Sequence, residues 1–412
     1  MIESSTAAQG AAIAHTRPAS LVTVVTATMA AQIASAMGIA IFPVMAPQFA
    51  QMLGVDASYV GYQLSLLFGA AMLVSSFVGT LVLRWGACRA MQWSLWLCAA
   101  GMIAGLAGQL WLMPLAALFI GASNSLAAAG AAHLLFRYSP PKHRNLIFSL
   151  KQTGVPMGWA MIALVAPVLT VALSWRVSLL LVLAYSIAGA LLLGRWRSEW
   201  DGDRNPHAAA STNLLTGVSV LWRYPTLRYL GLSAFFFSFV QLCLGAFTVN
   251  LLVQEADYGL VAAGIMLSLV QVAGMTGRLS FGWIADRSSQ AIIVLTITSL
   301  IAAVGCAASV FISGNWPAAA LAVFYVLFGV VAYGWNGVMH AQIARLSPPG
   351  MVSVATGGVM VWIFGGILAG PALFAVAYRW IGSYTMTFGV LTIAALVSAV
   401  LAGLAVRAER AA

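Results

Sequence analysis

Charge is what this sequence has least of. Of its 412 residues only 7% are Asp, Glu, Lys or Arg, against 62% hydrophobic, where a soluble domain carries roughly 25% charged residues. A water-soluble fold is thereby excluded. Alternation of polar and apolar residues is also missing, so a membrane β-barrel, whose strands alternate over about ten residues, does not fit. Cysteine is scarce: Cys88, Cys98, Cys243 and Cys306 share no pair spacing or metal-binding pattern, which marks them as packing residues. A cleavable leader is not expected. The first 17 residues are rich in Ala, Ser and Thr with a single arginine, and the apolar run from Leu21 to Met45 is too long for a signal core.

What is present is a series of apolar runs of about 20 residues or more, enough for helices to cross a hydrocarbon core of about 30 Å. Twelve spans are predicted, at 20–46, 58–83, 91–110, 112–136, 145–172, 177–194, 226–252, 258–285, 291–312, 316–343, 351–378 and 383–406. With both termini in the cytoplasm, 15 of the 19 Lys and Arg fall on the inner side, two (Arg176, Arg379) outside, and two (Lys151, Arg278) within spans. That bias fixes the expected orientation. It also accounts for the net charge of +10 without any nucleic-acid partner.

The two halves of the chain repeat each other. "GYQLSLL" at Gly61–Leu67 matches "GIMLSLV" at Gly264–Val270, and "RYSPP" at Arg137–Pro141 recurs as "RLSPP" at Arg345–Pro349. Residues 195–224 form the one long polar stretch, a linker between six helices and six helices. Parallel six-helix repeats are one design of secondary transporters, with the substrate site at their interface.

"GWIADRSSQ" (Gly282–Gln290) resembles the signature loop of the major facilitator superfamily, and "GTLVLRWGACR" (Gly79–Arg89) is a second copy at the matching place in the first half. The first copy keeps Gly79, Arg84, Gly86 and Arg89 but has Leu83 where that family usually has aspartate. The second keeps Gly282, Asp286 and Arg287. The resemblance implies an all-α membrane fold with two six-helix bundles, 1–194 and 225–412, related by a pseudo-twofold axis. It also implies alternating access, with these residues as a conformational latch. Glycines there allow helices to approach closely, an acid can face a helix N-terminus, and an arginine can pair with it or with lipid phosphate. Simple anchoring to the membrane surface is the other reading of the arginines.

None of the nine acids is expected at bilayer depth. An intramembrane carboxylate, common in proton-driven transport, is therefore missing, and cationic-drug exchange is disfavoured. Buried cations are present instead. Arg278 lies eight residues before Asp286, about 12 Å from the inner end of its helix. A guanidinium cannot shed its proton, and placing one mid-helix costs at least about 2.5–3.5 kcal/mol. It needs a wet cavity or a partner, and a substrate carboxylate held by a forked hydrogen bond is the natural one. The segment also resembles the eighth helix of oxalate/formate exchangers and monocarboxylate transporters, where the resemblance implies such an arginine–carboxylate contact. A structural bond to backbone carbonyls is the alternative. Lys151, about 10 Å beyond Arg144, either snorkels to the surface or adds a second charge to the cavity.

The resemblance implies that the first, fourth, seventh and tenth spans line the cavity. Their polar residues include Gln32 and Ser35, Asn124, Gln241, Thr248 and Asn250, and Tyr333, Asn336 and His340, the last three on one helical face. Gln271 shares the face of Arg278. Trp335 and Phe235 to Phe237 are expected as aromatic walls, and His133 and His340 as the titratable groups within spans. The expected function is transport of a small organic anion, a monocarboxylate, by secondary active or facilitative alternating access. The competing reading is transport of neutral or amphiphilic compounds with Arg278 structural. An enzyme is not expected, nor a cofactor or metal. The partners are a small-molecule substrate and the lipid bilayer of a bacterial cytoplasmic (inner) membrane, with the chain acting as a monomer.

Overall fold

The computed structural model describes residues 20–75, 77–140, 144–207, 214–288, 290–348 and 352–411. Twelve long helices carry the fold: α1 (Leu21–Val44), α2 (Val60–Ser75), α3 (Ala87–Leu106), α4 (Met113–Tyr138), α5 (Gly154–Ala172), α6 (Trp175–Leu193), α7 (Pro225–Gln254), α8 (Leu260–Ser288), α9 (Ala291–Ala308), α10 (Ala318–Leu346), α11 (Val352–Ile381) and α12 (Tyr384–Ala411). Eleven of these, some with the short turns that extend them, are long and apolar enough to cross a membrane. The twelfth, α3, opens with the polar Arg89 and Gln92 and lies between α4 and α6. No strand occurs among the described residues. Large apolar side chains such as Leu73, Leu279 and Val304 remain exposed on the outside of the bundle, as expected where lipid is the solvent.

Two predicted spans are interrupted. The second is divided into α2 and a short helix, Val78–Trp85. The fifth is divided at Thr153, between the helix Arg144–Gln152 and α5. The Thr153 hydroxyl donates to the Leu150 carbonyl at 2.6 Å, and Pro156 lacks the N–H that would otherwise reach back across the break. Apolar residues resume on the far side of each break, which is why each is predicted as one span.

Helix packing repeats between the halves. The contacts α1–α5, α2–α4 and α3–α6 have the counterparts α7–α11, α8–α10 and α9–α12. The halves meet through α2 against α11 and α5 against α8, again a symmetric pair. Both contacts are made at glycines. A β-carbon on Gly61 would stand 2.3 Å from the Pro371 carbonyl oxygen, and one on Gly264 would stand 2.2 Å from that of Ala163.

Hydrogen bonds close the same region. Ser65 Oγ donates to the Leu368 carbonyl at 2.6 Å, Ser268 Oγ to Ala160 at 2.9 Å, and Asn250 Nδ2 to Ala57 at 3.1 Å. All three lie away from the side on which α1 begins and α12 ends. Toward that terminal side the helix pairs diverge. Gly69 has only a Leu368 methyl at 3.4 Å, and Gly79 and Gly282 have nothing within 4 Å of where a β-carbon would stand. The molecule is zipped on one side and opens on the other.

Candidate functional site

Arg278 lies on the α8 stripe that begins with Gly264 and Ser268, just where that stripe parts from α5. Its Nε donates to the Tyr333 main-chain oxygen of α10 at 3.2 Å. The close approach of α8 to α10 makes this possible, because Gly274 and Gly277 lie against Tyr333 and Val330. No carboxylate among the described residues forms an ion pair with Arg278. A neutral carbonyl orients the guanidinium without cancelling its charge.

A polar network surrounds it. Gln271 Nε2 donates to the Tyr333 hydroxyl at 3.1 Å. Asn336 Nδ2 donates to Gln241 Oε1 at 3.1 Å and to the Tyr333 carbonyl at 3.3 Å. Gln241 Oε1 also accepts from Trp335 Nε1 at 2.9 Å. Five candidates, Arg278, Gln271, Tyr333, Asn336 and Gln241, thus fall in one connected set. His340 lies two turns further along α10 from Tyr333. Asn336 and His340 are half-buried, and Gly337 between them is exposed, so this face of α10 meets the open side.

The remaining candidates lie in the first half. Ser35 Oγ donates to Asn124 Oδ1 at 3.3 Å. Gln32 is buried, and its Oε1 has no hydrogen-bond partner among the described residues. Lys151 is 5% exposed, so it does not snorkel to the surface as one reading allowed. The register that matches Gly61 with Gly264 also matches Ser75 with Arg278, and the Arg137–Arg345 register matches Ser125 with Tyr333. Ser75 and Ser125 are hydrogen-bonded at 3.0 Å. The first half therefore carries two hydroxyls where the second carries its cation.

Several expectations need correction. Trp335 is 1% exposed and stacks on Phe237 with ring centroids 5.0 Å apart, so both are core residues rather than cavity walls. Asn250 belongs to the zipped side, and Thr248 turns back on its own helix, donating to the Leu244 carbonyl. His133 sits near the end of α4, where it bonds Asp203 at 2.8 Å beside Arg137. Gly79 and Gly282 bring no helices together in this arrangement. Sequence reasoning missed Trp159, whose ring, with the Tyr333 hydroxyl, closes over Gly245 between the halves. One more bulky residue in an apolar helix gives no signal of that role.

The signature loop between α2 and α3 is fastened from the linker. Asp201 accepts from the Cys88 and Arg89 N–H groups at 2.7 and 3.1 Å, capping α3. Gly86 takes φ +98°, and a β-carbon there would strike the Asp201 carboxylate. Arg89 lies over Trp93 and Arg287 over Trp283, Arg84 is exposed, and the Asp286 side chain lies outside the described residues. The repeated Arg137 and Arg345 pair with Asp203, in the linker after α6, and with Glu409, in the last turns of α12. The four cysteines are free and buried, as expected.

Comparison with known proteins places this geometry. A bacterial homolog of the human lysosomal transporter Spinster, in an inward-facing and unoccupied conformation, superposes with a TM-score of 0.76 at 15% identity, covering 94% of this chain and 97% of that one. A peptide transporter POT in complex with sulfate gives 0.71 at 15% identity, covering 94% and 95%. By sequence, a "Probable hexose phosphate transport protein" of Chlamydia trachomatis is 23% identical over 308 residues, 65% of this chain and 66% of that protein, just under two thirds of its length. The family model described as Major Facilitator Superfamily matches residues 28–352. With twelve helices in two matched sets of six and transporters as its structural neighbours, the chain belongs to the Major Facilitator Superfamily and is a multi-pass membrane transporter, not an enzyme.

Proposed function

We propose that the protein carries a small organic anion, a monocarboxylate in its simplest form, with Arg278 as the principal contact. The single observation behind this reading is a partly buried guanidinium on the open face between the halves, oriented by one carbonyl and lacking an ion-pair partner among the described residues. The carboxylate would take the fork of Arg278, with Asn336 and His340 beside it. Gln271, Gln241 and Tyr333 hold that wall in place, and Gln32, Asn124 and Lys151 face it from the first half. A relative named for an anionic sugar phosphate agrees with an anion of some kind.

The halves, 1–194 and 225–412 joined by 195–224, are read as the rocking bodies, and the signature loops as the elements that meet when the open side closes. Positive residues concentrate on the terminal side, which supports assigning it to the cytoplasm of a bacterial inner membrane. The observed arrangement would then be open inward. The Arg278–Tyr333 bond also favours a second reading, in which Arg278 is structural and the cargo is neutral or amphiphilic.

Uptake into proteoliposomes by wild type and Arg278→Gln separates the two. Under the anion reading, carboxylate uptake falls at least about thirtyfold, in line with the 2–5 kcal/mol lost when a buried charge pair is truncated. Unchanged carboxylate uptake by the variant overturns it.

A further inference from the structure

At the far side from the termini, on the outer wall of the first half, the seam between α2 and α4 holds a crevice of about 300 Å³, the lower end of small-molecule sites. Phe42, Phe49 and Met113 form its back, and the exposed Tyr59, Leu66 and Leu110 form its mouth. It is separate from the Arg278 site and faces another medium. Gly61 and Ser65 of α2 turn to α11, and Leu67 and Ala70 lie against Gly121 of α4. Tyr59 and Leu66 occupy the remaining face of α2, which looks into lipid.

Two polar groups break this apolar lining at different depths. Asp56 is its one charged residue and stands at the rim, where one carboxylate oxygen accepts from Ser58 N–H at 2.8 Å. Gln63 lies seven residues further on, about 10 Å deeper along the helix. Its Nε2 is buried without a hydrogen-bond partner among the described residues. A buried unpaired donor is costly, and lipid tails offer it nothing. The polar layer of a bilayer leaflet is roughly 5–8 Å thick. With Asp56 among head groups, Gln63 therefore reaches the level where acyl esters join the hydrocarbon.

We propose that this crevice is a binding site for an amine-headed phospholipid. One acyl chain fills the apolar part, an ester carbonyl accepts from Gln63 Nε2, and the ammonium meets the Asp56 carboxylate. The occupant must therefore bring an apolar tail, a buried acceptor and a positive charge in that order of depth. The site adjoins the zipped side of the molecule. Ala57, next to Asp56, accepts from Asn250 of the second half, and Gly61 abuts Pro371. A lipid seated here braces that wall and favours the arrangement closed on this side.

Native mass spectrometry of the full-length protein tests this. After delipidation, phosphatidylethanolamine or phosphatidylglycerol of identical chains is added back. Wild type should retain one phosphatidylethanolamine at least about fivefold over phosphatidylglycerol. Asp56→Asn, which keeps the turn's acceptor, should abolish the preference, and Gln63→Leu should lower retention of both lipids. Thermal melting checks that each variant is folded. Equal retention of the two lipids by wild type, or an unchanged preference in folded Asp56→Asn, overturns the proposal. The readout needs no substrate, so it stands apart from the anion reading.

Discussion

Gly264 faces the Ala163 carbonyl so closely that a β-carbon on it would lie 2.2 Å from the oxygen, and Gly61 stands in the same relation to Pro371. Two symmetry-related glycines, one in each half, thus zip the side away from the termini. Under the proposed rocking motion both pairs must part. Gly264→Ala should bias the protein against the observed arrangement, since overpacking costs typically about 1–3 kcal/mol, a shift of roughly 5- to 150-fold in population. The rate of thiol labelling at a cysteine placed at Ser65, approached from that side, should rise accordingly. Gly403→Ala in α12, where a β-carbon meets open space and which lies outside the signature loops, is the control and should leave labelling unchanged.

Arg278 to Lys keeps the charge but loses the fork and the Nε bond to Tyr333. Lysine presents a hydrated point charge that does not reproduce forked geometry. Carboxylate uptake by Arg278→Lys should fall about tenfold, mainly through a higher KM, and stay above that of Arg278→Gln. Equal activity of the lysine variant and wild type would show that the fork is not used.

Gln241 Oε1 serves both Trp335 and Asn336, and Trp335 is 1% exposed. Gln241→Ala strands a buried indole N–H, a loss of about 1–3 kcal/mol readable as a lower melting temperature. Gln241→Glu keeps an acceptor for both donors and should retain most of the stability. It places a carboxylate beside the Arg278 cluster, however, and should depress anion uptake. The two variants separate holding the wall together from reading the cargo.

Asp203 bears on pH. Its partial burial pushes the carboxyl up, but the His133 hydrogen bond and the Arg137 charge hold it, on balance, below the usual carboxylate range. A depressed folded value gives stability that is present above the unfolded value, about 3.9, and lost only as pH falls through the lower folded one. The melting-temperature difference between wild type and Asp203→Asn should therefore stay constant from about pH 7 to 5 and shrink below about 4. A difference that vanishes already near pH 6 would contradict this.

Much of the fold was legible because in lipid a helix must satisfy its own backbone and needs a minimum apolar length. The twelve helices and the repeat follow from residue spacing along the chain, as do the shared face of Gln271 with Arg278 and that of Tyr333, Asn336 and His340; that these two faces meet does not. Hydropathy alone did not place the breaks at Thr153 and after Ser75, because apolar residues resume beyond each. Nothing local in the 195–224 linker marks Asp201 as the cap of a helix more than a hundred residues earlier.

The sequence by itself determined the number of crossings, the scarcity of intramembrane acid and the presence of one mid-helix arginine, all properties of a segment in isolation. Only the tertiary structure decided which side is zipped, that Tyr333 orients the arginine, and that Trp335 and Asn250 stand away from the cavity. Those outcomes depend on the rotation and tilt of helices against one another. In a medium as apolar as the side chains themselves, rotation and tilt are set by glycine contacts and hydrogen bonds between helices, and hydropathy is blind to both.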